Sequence, residues 1–83
     1  MSSSKKIAIE NREKYIEIGL NIAFYRKREG MTQEQLAEKA DMSRSFLANI
    51  EGPNQVVAMS VEVLFKIADA LSIPPSRLLE FRD

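Results

Sequence analysis

Hydrophobic residues recur with a helical period in the first third of the chain, from about residue 11 or 15 to residue 29. Apolar residues three and four positions apart share one side of a helix, so this spacing predicts a first helix. Gly30 follows it, where a left-handed cap suits a helix end, and the preceding Arg-Lys-Arg run complements the helix dipole. Two interleaved sets carry the period: Ile18, Ile22 and Tyr25, and Ile16, Leu20, Ala23 and Phe24.

Three further helix starts share one pattern, in which a methionine precedes a Ser or Thr and a leucine follows four residues after it. This is the arrangement of an N-cap with a hydrophobic staple. The three are Met31-Thr32 with Leu36, Met42-Ser43 with Leu47, and Met59-Ser60 with Leu64. Thr32 and Gln35 also form a capping box pattern. The predicted helices span residues 32–40, 43–51 and 60–71.

A fifth helix is predicted to begin at Pro74-Pro75 and to carry Leu78 and Leu79, because proline is tolerated in a first helical turn. No segment has the alternating pattern of a strand. The sequence therefore predicts an all-α domain of five helices over residues 11–83, preceded by a flexible tail over residues 1–10.

The second and third predicted helices are joined by a very short turn, Ala40-Asp41-Met42. Two helices at a steep angle joined by three or four residues describe an αα corner as well as a DNA-binding helix-turn-helix. The turn alone does not distinguish them.

The third helix has one outward face of small and hydrogen-bonding residues. At about 100° per residue, Phe46, Leu47 and Ile50 cluster on one side. The opposite side carries Arg44, Ser45, Ala48 and Asn49. Arg can pair bidentately with guanine, Asn with adenine, and Ser with either. The same residues are also common on solvated surfaces, so spacing alone leaves both interpretations open.

Composition excludes most catalytic chemistry. The 83 residues include no cysteine and no histidine, so thiolate metal sites, disulfides and the usual proton shuttle are missing. Glu34 and Glu38 are four residues apart on an exposed helix face and suggest a solvated pair rather than a catalytic one. We expect no enzyme activity and no cofactor.

No apolar run is long enough for a membrane span, which predicts a cytoplasmic protein. Twelve basic and twelve acidic residues cancel, which is unusual for a nucleic-acid binder.

Residues 18–79 resemble the phage repressor and Cro type of helix-turn-helix domain. The matching segments are "IGLNI" with Arg26, "GMTQEQLAEKA", "MSRSFLANIE", "LFKIADALSI" and "SRLL". The resemblance implies a compact five-helix domain whose third helix enters the DNA major groove. It also implies double-stranded DNA as partner, with a homodimer on a palindromic operator as the default expectation.

Residue roles follow from the resemblance at matching positions. Arg44, Ser45 and Asn49 match positions that reach base edges. Gln33 and Ser43 match phosphate contacts, although Ser43 is equally well explained as a cap alone. Arg26 and Glu51 match a structural ion pair between the first and third helices. Because residues 32–51 hold only Lys39 and Arg44 as bases, phosphate contacts are also expected from Lys27, Arg28, Asn54 and Gln55.

Two features depart from the family pattern. Asp41 stands in the turn where glycine is usual, so a left-handed backbone there carries some strain. The connection "GPNQVVAM" after the third helix is about two residues longer than expected and unusually apolar. Its residues Val56, Val57 and Met59 either cover the core or form a subunit contact.

The sequence thus predicts a sequence-specific DNA-binding transcriptional regulator that represses by occupying a promoter. A protein-interaction module, such as an antitoxin-like helix-turn-helix, is the main rival, and neutral net charge favours it. A purely structural bundle is the second rival. The effect of Arg44→Ala on base preference separates DNA reading from a protein partner.

Overall fold

In a computed structural model, residues 7–81 are described, and they form helices joined by turns and irregular loops, with no strand among them. A 3-10 turn at Ile9–Asn11 leads into the first helix. The α-helices are α1 (Arg12–Arg28), α2 (Gln33–Lys39), α3 (Arg44–Glu51) and α4 (Val61–Leu71). Residues 1–6 of the expected flexible tail lie outside the described part. The all-α prediction is confirmed, but the fifth element, Pro75–Leu79, is a short 3-10 helix rather than an α-helix.

Side-chain caps define the starts of α2, α3 and α4, as the Met-Ser/Thr pattern predicted. The Thr32 hydroxyl accepts from the Gln35 amide at 3.1 Å, and the Gln35 side chain accepts from the Thr32 amide at 2.9 Å. Ser43 and Ser60 cap the next two helices through their hydroxyl groups. The three methionines before the caps are partly buried and pack against the core. The predicted spans counted the capping residue as the first residue of each helix. In the structure each helix begins one residue later, because the cap lies just outside the helix.

Left-handed residues follow three of the four α-helices. Gly30 after α1, Asp41 after α2 and Ser72 after α4 have φ of 73°, 58° and 58°. After α2, the Asp41 amide donates to Glu38 O at 3.2 Å and the Met42 amide to Ala37 O at 2.9 Å. These two bonds form a Schellman motif, which reverses the chain within the short turn to α3.

The core lies where α1 packs against α3 and the C-terminal 3-10 helix, while α2 packs against α3 and α4. The largest fully buried side chains come from every one of these elements: Ile22, Leu36, Leu47, Ile67, Leu71 and Leu78. Buried Asn21 ties α1 to the C-terminal segment by donating to Leu78 O at 3.1 Å and Glu80 O at 2.9 Å. Nothing in the helical period of α1 pointed to this bond. No helix within residues 7–81 is long and apolar enough to cross a membrane.

Candidate nucleic-acid interface

The helix α3 is buried on one side and free on the other. Leu47, Ile50 and Glu51 are buried, whereas Arg44, Ser45 and Asn49 are exposed. We call these three exposed residues the recognition strip. They fall within about 140° of the helix circumference, with half-buried Ala48 between them. The structure thus brings together the side chains that the sequence assigned to base reading, on one exposed helix face.

The start of α3 lies directly before the recognition strip. Ser43 accepts from the Phe46 amide at 3.1 Å through its hydroxyl, so its capping role is present. Its exposed position next to Arg44 leaves it accessible to a ligand that approaches the strip. The cap occupies one lone pair of the hydroxyl oxygen, and the O–H donor is still available for a phosphate.

The end of α3 is held by a buried ion pair with α1. Arg26 Nε donates to Glu51 Oε2 at 2.8 Å, and Arg26 Nη2 donates to Glu51 Oε1 at 3.0 Å. The two side chains are only 11% and 4% exposed. Arg26 Nη1 also donates to Met31 O at 2.7 Å, which ties the turn before α2 to the same cluster. Because both ends of the bidentate pair are satisfied, the charge of Glu51 is neutralised inside the protein.

Gln33 belongs to this cluster as well. Its side-chain Nε2 donates to Glu51 Oε1 at 2.9 Å, so one N–H of the amide is already used. The sequence indicated a phosphate contact for Gln33 but not this bond, since no spacing rule links residues in α2 and α3. Gln33 is half-buried in the first turn of α2. The bond fixes the orientation of the amide and leaves its second N–H as a donor.

A close backbone approach holds α1 against α3. A methyl group at Gly19 would collide with the Ile50 carbonyl oxygen and stand 3.2 Å from the Ile50 carbonyl carbon. Glycine is therefore required at this point of α1 for the two helices to pack at this distance. Together with the ion pair, this contact sets the position of the recognition strip relative to the core.

The loop after α3 divides into a polar turn and an apolar cover. The Gln55 amide donates to Gly52 O at 3.2 Å, which closes a turn with Pro53 and Asn54 in its centre. Asn54 and Gln55 are exposed at the end of α3. Val57 and Met59 pack against the core, and Val56 is half-buried. Of the two roles expected for this apolar segment, the structure shows core covering for Val57 and Met59.

Lys27 and Arg28 lie on α1, outside the two helices of the motif. Both are exposed in the last turn of α1. On a helical projection they lie about 80° and about 180° from Gly19, the residue that contacts α3. The Arg28 guanidinium stands 5.9 Å from the centre of the Tyr25 ring. Arg28 therefore lies on the side of α1 opposite the contact with α3, whereas Lys27 lies between the two sides.

The surface around the motif carries less uncompensated negative charge than the count of acidic residues in the sequence suggested. Of the acids in residues 32–51, Glu51 is neutralised by Arg26, and Asp41 lies 3.9 Å from Lys66 of α4. The sequence did not point to Lys66, because its proximity to the turn depends on the packing of α4. Glu34, Glu38 and the basic residue Lys39 are exposed on α2, and Arg44 is exposed on α3.

Comparisons with known proteins agree with this geometry. The model of the helix-turn-helix family matches residues 22–78. The immunity repressor protein of Bacillus phage phi105 is 42% identical over 62 residues, which is 75% of this chain and 42% of that protein. The crystal structure of SinR, the master regulator for biofilm formation, in complex with DNA superposes with a TM-score of 0.70. It has 36% sequence identity and covers 76% of this chain and 98% of that one.

A second solved structure, the restriction-modification controller protein C.AhdI from Aeromonas hydrophila, has a TM-score of 0.73 and 27% identity. The match covers 80% of this chain and 97% of the C.AhdI chain. The chain spans about half the length of the curated relatives it matches, between 42% and 59%. The family model covers most of the core, both helices of the motif and the recognition strip. By sequence and by fold, this chain belongs to the helix-turn-helix family, and within it to the phage repressor and Cro type.

Proposed function

We propose that this chain is a sequence-specific, double-stranded DNA-binding domain that acts as a transcriptional repressor by occupying an operator. The observation that carries the proposal is the recognition strip: an exposed polar face on a helix whose other side is buried and pinned by Arg26, Gln33 and Glu51. The similarity to an immunity repressor, and to a SinR structure that contains DNA, supports it.

The recognition strip would read base edges in the major groove. Arg44 offers a fork of N–H donors that matches the two guanine acceptors, and Asn49 matches adenine through its amide. Ser45 can donate to or accept from either base. All three side chains are exposed, so none must break an internal contact to reach a base.

Phosphate contacts would come from residues that border the strip on two sides. Gln33 and Ser43 lie at the starts of α2 and α3, and Asn54 and Gln55 lie in the turn after α3. Because Gln33 is oriented by Glu51, its second N–H is a preorganised donor. Lys27 is the proposed cationic contact at the end of α1, and Arg28 lies farther round that helix, about 180° from Gly19.

A homodimer on a palindromic operator completes the proposal. A two-fold symmetric protein reads two half-sites about one helical turn apart. The two recognition strips then double the number of bases read. Such a regulator works in the cytoplasm, where bacterial and phage operators are accessible.

Selection from a pool of randomised duplexes tests the proposal. The purified chain is expected to enrich one motif with two-fold symmetry and half-sites about one turn apart. The rival is a protein-interaction module, which the net charge of zero favours. A pool without any enriched motif after repeated rounds contradicts DNA reading and supports that rival.

A further inference from the structure

The recognition strip encloses one apolar side chain. Ala48 carries only a methyl group and is half-buried, whereas the three strip residues around it are polar and exposed. On a helical projection, Ala48 lies about 40° from Arg44 on one side and about 100° from Asn49 on the other. The methyl group therefore faces the same way as the side chains proposed to read bases, and it reaches less far from the helix than they do.

A second small residue extends this low surface. Gly52 follows Ala48 by four residues and lies about 40° farther round the helix, still inside the arc of the recognition strip. A methyl group at Gly52 would stand 3.3 Å from the Ala48 carbonyl oxygen, so the space beside Ala48 is kept clear by a residue without a side chain. We call Ala48 and Gly52 the central recess. It leaves room for a base to approach the Ala48 methyl group closely.

The major groove of DNA offers one apolar group that fits such a recess, the C5-methyl group of thymine. The other base edges in that groove present hydrogen-bond donors and acceptors. A donor or acceptor pressed against the Ala48 side chain would lose water without gaining a bond, which is unfavourable. 5-Methylcytosine carries its methyl group at the same ring position as thymine.

We propose that Ala48 contacts the C5-methyl group of a pyrimidine in the operator. The central recess then distinguishes thymine from uracil, and 5-methylcytosine from cytosine, by this methyl group alone. The inference rests on the proposed DNA-binding function, since it requires α3 to lie in the major groove. It adds a residue that discriminates between bases without a hydrogen bond.

The spacing along α3 predicts where the methylated pyrimidine lies. Ala48 is four residues from Arg44, which is about 6 Å along the helix axis. Base pairs are stacked about 3.4 Å apart. The contacted pyrimidine is therefore expected within two base pairs of the guanine that Arg44 reads.

A rival explanation is that Ala48 is small only so that α3 can approach the groove closely. Gly52, on the same side of the helix, is smaller still. Under this explanation glycine would serve as well at position 48, and binding by the two proteins would respond equally to a base methyl group. The two explanations therefore differ in the energetic coupling between position 48 and the C5-methyl group.

A double-mutant cycle measures this coupling by removing one methyl group from each partner. Ala48→Gly removes it from the protein, and deoxyuridine in place of a single thymine removes it from the selected operator. In competition binding, we expect wild-type protein to bind about three- to fourfold more weakly when the contacted thymine is replaced, the effect of burying one methyl-sized group. Ala48→Gly is expected to bind the two duplexes equally well. A second arm compares cytosine with 5-methylcytosine at each cytosine of the operator.

The two arms separate the two sources of the methyl group. A coupled loss at a thymine assigns the contact to thymine, and a coupled gain at a methylated cytosine assigns it to 5-methylcytosine. Both outcomes support the contact. Equal responses of wild-type protein and Ala48→Gly at every thymine and every cytosine overturn it and favour the rival explanation.

Ala23→Gly is the matched control variant. Ala23 is half-buried in α1, outside the helix that carries the recognition strip. Glycine weakens a helix at either position, but this lowers the affinity for all duplexes by one factor, which cancels in the cycle. Ala23→Gly is expected to keep the full wild-type response to deoxyuridine or 5-methylcytosine. A response lost equally in both variants overturns the assignment to Ala48.

Failure of this inference differs from failure of the proposed function. A chain that enriches an operator but shows no coupling at position 48 overturns the methyl contact alone. A chain that enriches no operator overturns DNA reading, and the methyl contact with it.

Discussion

Gln33 Nε2 donates to Glu51 Oε1 across 2.9 Å, on the same carboxylate oxygen that accepts from Arg26 Nη2 at 3.0 Å. One buried carboxylate thereby joins α1, α2 and the end of α3. The two helices of the motif are held together by this cluster as well as by the short turn between them. The recognition strip is therefore presented by a fixed unit rather than by a single mobile helix.

Removing the carboxylate charge should destabilise the whole domain. Glu51→Gln leaves the buried Arg26 guanidinium without its counter-charge, and we expect a loss of about 3 to 5 kcal/mol in the free energy of unfolding. Urea denaturation monitored by circular dichroism measures it. Glu80→Gln is the matched control, because its pair with Arg77 is exposed with N and O 3.9 Å apart, and exposed pairs contribute about 1 kcal/mol or less. Equal losses in the two variants would show that burial of the Arg26 pair has no energetic consequence.

Gly19→Ala should also destabilise the protein, although alanine is the better helix former. The added methyl group meets the backbone of Ile50, which cannot rotate away, so α1 and α3 must separate. We expect a loss of about 1 to 3 kcal/mol in urea denaturation, in spite of a helix-propensity gain of about 1 kcal/mol.

Gly30→Ala serves as the control for Gly19→Ala. A methyl group at Gly30 meets no atom within 4 Å, and only its φ of 73° is unfavourable. We expect it to cost about 1 kcal/mol without weakening DNA binding. Gly19→Ala should weaken both stability and DNA binding, since it moves the helix that carries the recognition strip. A stable Gly19→Ala variant with normal DNA affinity would refute the close contact.

Asp41→Gly should stabilise the turn of the motif slightly. Asp41 has a φ of 58°, which costs a residue with a side chain more than it costs glycine. The lost contact with Lys66 is exposed and long, so it offsets little. We expect a gain of about 0.5 kcal/mol, or a rise of about 2 to 4 °C in melting temperature. Ser72→Gly, at the same φ after α4, should behave alike. A fall for Asp41→Gly beside a rise for Ser72→Gly would mean that the Asp41 side chain stabilises the turn.

DNA affinity should depend only weakly on salt. Few basic side chains border the recognition strip. Neutral donors such as Gln33, Asn54 and Gln55 make most of the proposed phosphate contacts. We expect a slope between about −2 and −4 in a plot of log affinity against log salt concentration, from fluorescence anisotropy titrations. Arg77→Gln, on the C-terminal 3-10 helix, should leave the slope unchanged. A slope near −8 would mean that many more cations reach the phosphates than α2, α3 and the loop provide.

The features that the sequence predicted best are local ones. Thr32, Ser43 and Ser60 cap helices through bonds to residues three positions ahead, so their pattern is visible in any short window. The left-handed conformation of Gly30 likewise follows from its place after a basic helix end. A glycine inside a helix is also a local sign of close packing, although the partner of Gly19, the Ile50 backbone, lies far away in sequence.

Contacts between distant residues could not be predicted in the same way. The amide of Gln33 is identical in a sequence whether it binds phosphate or Glu51, and only the packing of α2 against α3 decides. The two apolar sets of α1 looked equally suited to the core, yet Leu20 and Phe24 remain exposed because the core is filled by Ile18 and Ile22. The fifth element is a 3-10 helix of five residues, Pro75–Leu79, rather than an α-helix.

The most direct test of DNA reading compares wild-type protein and Arg44→Ala on the selected operator and on every single base-pair change of it. Competition binding measures the preference at each position. We expect Arg44→Ala to lose about 1 to 3 kcal/mol of preference at one position in each half-site and to keep the rest of the profile. An unchanged profile, or uniform weakening at all positions, would show that Arg44 does not read a base and would contradict the account.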